Sequence, residues 1–308
     1  MTAAFLALVP VFAVILAGFL LRRSGLIGAD HWDAVDHVCY FVLFPAIIFK
    51  EIAAADFSNV PVARMALAMM LAVITMAALL LVFRKPVSNA LKIDGPQFTS
   101  LFQGAIRWHT FIAFAIIPIY FGPGALALGA VSAAAMTPLL NIICVWVLAT
   151  HASPREVRIG AMLKSLAANP FVFSSLGGVA WQLTGLTMPT IPLQALDMIG
   201  KGALGLALLT VGAGLRIGEA MSSLAPVVVA TALKLLVMPA VMALWLMILG
   251  VSGEAAAVAM LCGAVPTGSG AYVLAKRMGG DAALVANALT LQVIFAAITI
   301  PVVLAFRG

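Results

Sequence analysis

Long apolar segments separated by short polar breaks make up almost the whole chain. Each is near the roughly 20 residues that a helix needs to cross a bilayer. The breaks between them carry glycine, proline or charged residues, which are typical of turns and membrane interfaces. The pattern predicts an all-α membrane protein with ten transmembrane helices at about 2–21, 33–52, 62–83, 97–121, 124–149, 158–180, 195–217, 223–249, 254–275 and 280–306.

Basic residues in the loops predict how these helices are oriented. One set of alternate loops holds Arg22, Arg23, Arg84, Lys85, Lys92, Arg155, Arg158, Lys164, Arg216, Lys276 and Arg277. The other set, with the C-terminus, holds only Lys50, Arg64, Lys201 and Arg307. Since cytoplasmic loops are the basic ones, both termini should lie outside. Each half of the chain would contain five helices. Because five is an odd number, residues 151–308 should form a second repeat that is inverted in the membrane relative to residues 1–150.

Two of the segments contain residues that interrupt a helix. The fourth holds Arg107, His109 and Pro118, and the ninth holds Pro266-Thr267-Gly268-Ser269-Gly270. Paired interruptions in equivalent segments of two halves are typical of secondary transporters, whose broken helices form the substrate site. The pattern therefore predicts a binding site where the fourth and ninth helices meet.

The first interruption contributes Arg107, His109 and Thr110. An arginine near the membrane centre costs roughly 2.5–3.5 kcal/mol on insertion scales, so it needs a cavity, a partner or an anionic ligand. Arg107 either binds such an anion or pairs with backbone carbonyls and only stabilises the break. His109 is either a hydrogen-bonded spacer or, if it faces the cavity, a group that couples transport to protons.

The second interruption offers backbone groups and hydroxyls. Pro266, Gly268 and Gly270 favour unwinding, and Thr267 and Ser269 add hydroxyl groups. The half-helix that follows would present free N–H groups, which suit a carboxylate. A purely structural kink is the alternative.

Two further candidate site residues lie within apolar segments. Asn141 in the fifth segment could contact the ligand or bond to another helix. Lys234 in the eighth could serve as a counter-charge or extend to the interface.

Composition excludes several other classes of protein. Hydrophobic residues make up 64% of the chain and charged residues 9%, against about 25% charged in a soluble domain. The net charge is +6, but the basic residues lie at the ends of apolar segments, where they indicate membrane topology rather than nucleic-acid binding. The three cysteines match no metal motif, and we predict no cofactor. Ser269 lies between glycines like an intramembrane hydrolase nucleophile, but Thr267 replaces the expected preceding glycine and no histidine is an obvious base, so we predict no enzyme.

Several motifs resemble those of the auxin efflux carrier family, and the likeness suggests a bacterial member. They are Leu43-Phe44-Pro45-Ala46, Phe102-Gln103-Gly104-Ala105-Ile106-Arg107, Pro138-Leu139-Leu140-Asn141 and, most specifically, the stretch from Pro266 to Ala275 followed by Met278-Gly279-Gly280-Asp281. The family usually has an asparagine where this chain has His109, and the resemblance does not extend to that position.

The resemblance implies a fold like that of sodium/proton antiporters and bile-acid transporters, with helices 4 and 9 broken and crossing. Helices 1, 2, 6 and 7 would form a dimeric scaffold, and helices 3–5 and 8–10 a transport unit that moves like an elevator. The substrate would be a small organic anion such as auxin, malonate or malate, and the location the bacterial inner membrane.

We therefore predict a secondary active transporter for a small mono- or dicarboxylate, with membrane lipid, a second copy of the chain and coupling protons as its other partners. A passive anion channel and, more remotely, an intramembrane serine hydrolase are the alternatives.

Overall fold

Helices form all the regular structure in the residues that the computed structural model describes, namely 2–55, 57, 60–152, 169–216 and 224–305. In chain order the α-helices are α1 Thr2–Arg23, α2 Ala29–Val38, α3 Phe44–Ala54, α4 Val62–Val82, α5 Arg84–Leu91, α6 Gly95–Ile106, α7 Thr110–Phe121, α8 Leu126–His151, α9 Pro170–Leu183, α10 Thr190–Gly214, α11 Leu224–Ala232, α12 Met238–Ile248, α13 Gly253–Ala264, α14 Gly270–Met278 and α15 Ala282–Ala305. Short π-helical turns occur at Cys39–Leu43 and Leu233–Val237, and a 3-10 turn at Pro123–Ala125.

Seven helical stretches in the described residues are long and apolar enough to cross a membrane. They are Asp30–Ala54, Val62–Val82, Gly95–Phe121, Pro123–His151, Thr190–Gly214, Leu224–Ile248 and Ala282–Ala305. Each coincides with a segment predicted from the sequence, so the described part of the chain is all-helical and consistent with a membrane protein. The predicted ninth segment appears as the short helices α13 and α14.

The predicted sixth segment is only partly described. It was expected at 158–180, and its described portion is α9, Pro170–Leu183. The loop residues Arg155, Arg158, Lys164 and Arg307 lie outside the described residues.

Both π-helical turns precede a proline. The amide of Phe44 donates to Cys39 O and that of Met238 to Leu233 O, five residues back in each case. Pro45 and Pro239 follow directly. A proline ring clashes with the carbonyl four residues before it, and a wider turn relieves that clash.

The helices pack in two groups. In one, α1 lies along α10 and α3 lies along α9. In the other, α4 packs on α8 and α12, while α6 packs on α8, α11 and α15. Contacts between the groups run mainly from α1, α3, α9 and α10 to α7, α8 and α15.

Side chains join loops that the basic-residue pattern assigned to the same side. Arg22 donates to Ala213 O, and Arg84 Nη1 lies 3.0 Å from His151 Nδ1. At the opposite ends of the helices, Gln182 donates to Ala55 O. In each of these three contacts, the two described residues lie at helix ends that the pattern assigned to the same side.

The fourth predicted segment is broken at Arg107-Trp108-His109. Helix α6 ends at Ile106 and α7 begins at Thr110, with Arg107 and His109 in extended conformations. Pro118, which the sequence suggested as part of the interruption, lies inside α7 and does not end it. The break therefore contains neither glycine nor proline.

The ninth segment is broken over residues 265–269, between α13 and α14. The two breaks touch at Gly268, where a Cβ atom would lie 2.7 Å from Trp108 O. Only glycine permits so close an approach of two backbones.

Gln292, on α15, bonds to both breaks. Its Oε1 accepts from Thr267 N at 2.7 Å, and its Nε2 donates to Gly104 O at 2.9 Å. In an uninterrupted helix Gly104 O would accept from Trp108 N and Thr267 N would donate to Gly263 O. The fully buried amide of Gln292 therefore replaces a helix bond at each break.

We expect Gln292→Leu to destabilise the protein. The substitution leaves Thr267 N and Gly104 O without these partners, and each unsatisfied buried group costs about 1–3 kcal/mol. The apparent melting temperature of the purified protein should fall, whereas exposed Gln194→Leu on α10 should leave it unchanged. Equal melting temperatures for Gln292→Leu and the parent would contradict this role.

Candidate functional site at the two helix breaks

A cavity of about 410 Å³ lies beside the two breaks. Its walls come from α2 and the adjoining π-helical turn, both breaks, α7, α8, α9 and α14. The lining residues predicted from the sequence are Arg107, His109, Thr110, Asn141, Gly268, Ser269 and Gly270.

Arg107 is held at the edge of this cavity by the fifth predicted segment. Its Nη2 donates to Asn141 Oδ1 at 3.0 Å. Nη1 is buried and has no hydrogen-bond partner in the described part of the chain. No carboxylate of the described residues lies within ion-pair distance of the guanidinium. Asn141 therefore orients the guanidinium, and no carboxylate among the described residues forms an ion pair with its positive charge.

The guanidinium also lies against the start of a helix. A Cβ atom at Gly270, the first residue of α14, would be 3.5 Å from Arg107 Nη2. A helix N-terminus carries a partial positive charge, so a cation beside it is unfavourable. An anion placed between the two would be stabilised by both.

A second helix begins at the same cavity. His109 precedes α7 and Ser269 precedes α14, and neither side chain caps its helix. Thr110 and Phe111, at the start of α7, line the cavity together with Ser269 and Gly270. Two helix N-termini without side-chain caps therefore face one space, and such N–H groups bind anions.

His109 lines the cavity but is almost fully buried, at 2% exposure. Its Nε2 has no hydrogen-bond partner among the described residues. The ring packs against Phe111, with 5.7 Å between centroids. The imidazole therefore has an unused nitrogen at the break.

Three predicted residues lie away from the cavity. Pro266 and Thr267 are buried, and Thr267 Oγ1 donates to Gln103 O at 3.3 Å. Lys234 is also fully buried, and its Nζ donates to Gly263 O at 2.9 Å. It therefore neither extends to the interface nor lies on the cavity wall. Thr267 and Lys234 contact the backbone at the breaks instead.

Several cavity residues were not predicted from the sequence. Asp36 lines the cavity and accepts from Thr210 Oγ1 at 3.5 Å. Tyr40, Trp108, Phe171 and Arg277 also line the cavity. The only signal for Asp36 was a carboxylate near the start of an apolar segment, and the aromatic residues carried none.

The described residues contain no group of three or more histidine, cysteine, aspartate or glutamate side chains that could hold a metal ion. Charge at this site comes instead from Arg107, Arg277, Asp36 and the two helix ends.

Comparison with known proteins assigns the family. The model of a family described as membrane transport protein matches residues 150–304, half of the chain. The chain belongs to this membrane transport protein family. The matched region includes the second break and Gln292, whereas Arg107 and His109 precede it.

Curated relatives in the family are auxin efflux carriers of plants, which confirms the resemblance seen in the motifs. Auxin efflux carrier component 3a of Oryza sativa is 28% identical over 139 residues, 43% of this chain and 22% of that protein. Probable component 1b of the same species is 32% identical over 152 residues, 46% of this chain and 26% of its own length. Component 7 of Arabidopsis thaliana is 26% identical over 156 residues. The matched stretch spans about a quarter of each relative.

We expect Gly268→Ala to push the two breaks apart. Its Cβ would meet Trp108 O at 2.7 Å, and overpacking of this kind costs roughly 1–3 kcal/mol. The melting temperature of the purified protein should fall. Gly205→Ala on α10 is the matched control, because a Cβ there meets nothing within 4 Å. A Gly268→Ala protein as stable as the control would show that this contact is not needed.

Proposed function

We propose that the protein is a secondary active transporter that binds a small organic anion, a mono- or dicarboxylate, between the two breaks. The observation that carries this proposal is the position of Arg107. Its guanidinium lies beside the N-terminus of α14, with no carboxylate of the described residues in ion-pair contact. A substrate carboxylate would accept hydrogen bonds from Arg107 and from the helix N–H groups, and Asn141 keeps the guanidinium in position.

The cavity suits a small organic molecule rather than an inorganic ion alone. Its volume of about 410 Å³ lies within the roughly 300–1,000 Å³ typical of ligand pockets. Arg107 and the aromatic side chains of Tyr40, Phe41 and Phe171 all line it. The carboxylate would bind at Arg107, and the carbon skeleton would contact the aromatic side chains. Malonate, malate and auxin-like monocarboxylates are the compounds to examine first.

For the architecture, we propose ten membrane-spanning helices in two inverted repeats, residues 1–150 and 151–308, with the broken helices crossing at the substrate site. The packing of α1 on α10 and of α3 on α9 supports a scaffold made of helices 1, 2, 6 and 7. Helices 3–5 and 8–10 would then carry the substrate site in an elevator motion. We further propose a homodimer in the bacterial inner membrane with both termini outside. In that orientation the cavity, which reaches Arg277, opens toward the cytoplasm.

A passive anion channel is the second candidate. A channel would give currents far above the turnover of a carrier and would show no counterflow, so flux measurements on the same liposomes distinguish the two. The hypothesis of an intramembrane serine hydrolase has less support, because Ser269 makes no side-chain hydrogen bond to a histidine in the described part of the chain.

We expect Arg107→Ala to weaken carboxylate binding about 10- to 100-fold, because a hydrogen bond to a charged group contributes roughly 1.5–3 kcal/mol. A bound ligand raises apparent stability by mass action. The measurement is the thermal shift of purified protein against a panel of mono- and dicarboxylates, followed by counterflow in liposomes with the compound that binds.

The exposed residue Arg23 provides the control, and Arg23→Ala should respond like the parent protein. If Arg107→Ala is stabilised by the same carboxylates to the same degree, the anion site is not where we place it. If no carboxylate stabilises the parent protein, the substrate belongs to another class.

We expect His109→Asn to reduce the pH dependence of transport between about pH 5 and 8, the range in which histidine changes charge. Asparagine preserves a hydrogen-bonding side chain at the break but cannot take up a proton. The rate of substrate uptake should be measured across this range, with exposed His31→Asn as the control. A profile that matches the parent protein would remove His109 from proton coupling.

A further inference from the structure

Lys234 is a fully buried lysine. Its side chain is 0% exposed, and no aspartate or glutamate of the described residues lies within ion-pair distance. It belongs to the π-helical turn Leu233–Val237 and does not line the cavity. A buried charge in this position is costly unless something compensates for it.

The compensation comes from the end of a broken helix. Lys234 Nζ donates to Gly263 O at 2.9 Å, and Gly263 is in the last turn of α13, directly before the break at residues 265–269. The final carbonyls of a helix lack partners within the helix and carry a partial negative charge. An ammonium group at this end is therefore favourable.

Gly263 O has lost its usual donor because of the break. In a continuous helix Thr267 N would donate to Gly263 O. Here Thr267 N donates to Gln292 Oε1 instead. The same arrangement occurs at the first break, where the freed Gly104 O accepts from Gln292 Nε2. At each break, a freed glycine carbonyl thus accepts a hydrogen bond from a side chain elsewhere in the fold. The donor to Gly104 O is the neutral amide of Gln292, whereas the donor to Gly263 O is the ammonium group of Lys234.

In secondary transporters with broken helices, the C-terminal ends of half-helices are where coupling cations bind. In this protein an ammonium group occupies one such end. We propose that Lys234 is a built-in cation at the end of α13, which holds the second break in its binding conformation without sodium or potassium. This inference rests on the proposed anion site, because Lys234 acts on the substrate only through Gly263 and the break. It is a positioning residue.

The charged and titratable groups around Lys234 are few. Cys262 on α13 is its titratable neighbour. Gln292, which contacts Ala230 O on the preceding turn, is neutral. The proposal concerns Lys234 in its ammonium form, which donates to Gly263 O.

The experiment compares purified protein in sodium, potassium and choline chloride at equal ionic strength. The melting temperature is measured first without substrate, and then with the carboxylate that stabilises the parent protein most. For the parent, we expect both the melting temperature and the carboxylate response to be the same in the three salts. A parent protein that requires sodium or potassium for either would overturn the proposal.

Substitution separates the charge from the hydrogen bond. Lys234→Gln keeps a donor for Gly263 O but removes the charge, and we expect a lower melting temperature and a severalfold weaker carboxylate response. Added sodium should restore part of the melting temperature and part of the carboxylate response. No such recovery is expected if Lys234 has a purely structural role. Lys234→Arg retains the charge and should stay insensitive to salt identity. Lys201→Gln, at an exposed lysine, is the control.

The outcomes distinguish this inference from the proposed function. If no carboxylate stabilises the parent, the anion site fails, but the melting temperatures without substrate still test Lys234. If Lys234→Gln behaves like the parent in every salt, the built-in cation is wrong and the anion site is unaffected.

Discussion

The structure depends on how two interrupted helices satisfy their backbone groups where little water is present. Breaking a helix frees amides and carbonyls, and in a membrane these must find partners within the protein. Here the partners come from neighbouring helices. Gln292 supplies one donor and one acceptor, Thr267 Oγ1 adds a donor to Gln103 O, and Lys234 adds a donor to Gly263 O. Backbone groups at each break are therefore satisfied by side chains of the other break and of neighbouring helices.

The same constraint creates the site. Because the breaks touch at Gly268, the helices that restart after them begin close together and face one cavity. Their first amide groups are not capped by side chains, and Arg107 adds a charge of the same sign. Positive potential is thus concentrated at this point, and in the described part of the chain no carboxylate forms an ion pair with Arg107. Such an arrangement is unfavourable when empty and favourable when an anion is bound.

The polar residues near the breaks divide between two tasks. Arg107 and Asn141 face the cavity, whereas Gln292, Thr267 and Lys234 lie behind it and contact backbone atoms. All of them are polar residues in apolar segments, so their sequence context is alike. Position relative to the break decides which of them could meet a substrate and which support the backbone.

The sequence alone determined the class of the protein, the position of most spans and the existence of the second break. Apolar segment length predicts a spanning helix because the bilayer has a set thickness, and proline with two glycines predicts an unwound stretch because of backbone sterics. It also singled out Arg107, since a charge in an apolar segment needs a physical explanation. Only the tertiary structure decided that the first break falls at Arg107-Trp108-His109 and that Pro118 stays helical. At this break the freed carbonyl of Gly104 accepts a hydrogen bond from Gln292, which lies 188 residues away in the chain. For the same reason the roles of Asp36 and Lys234 could not be read from their neighbours: each depends on which helices pack against it.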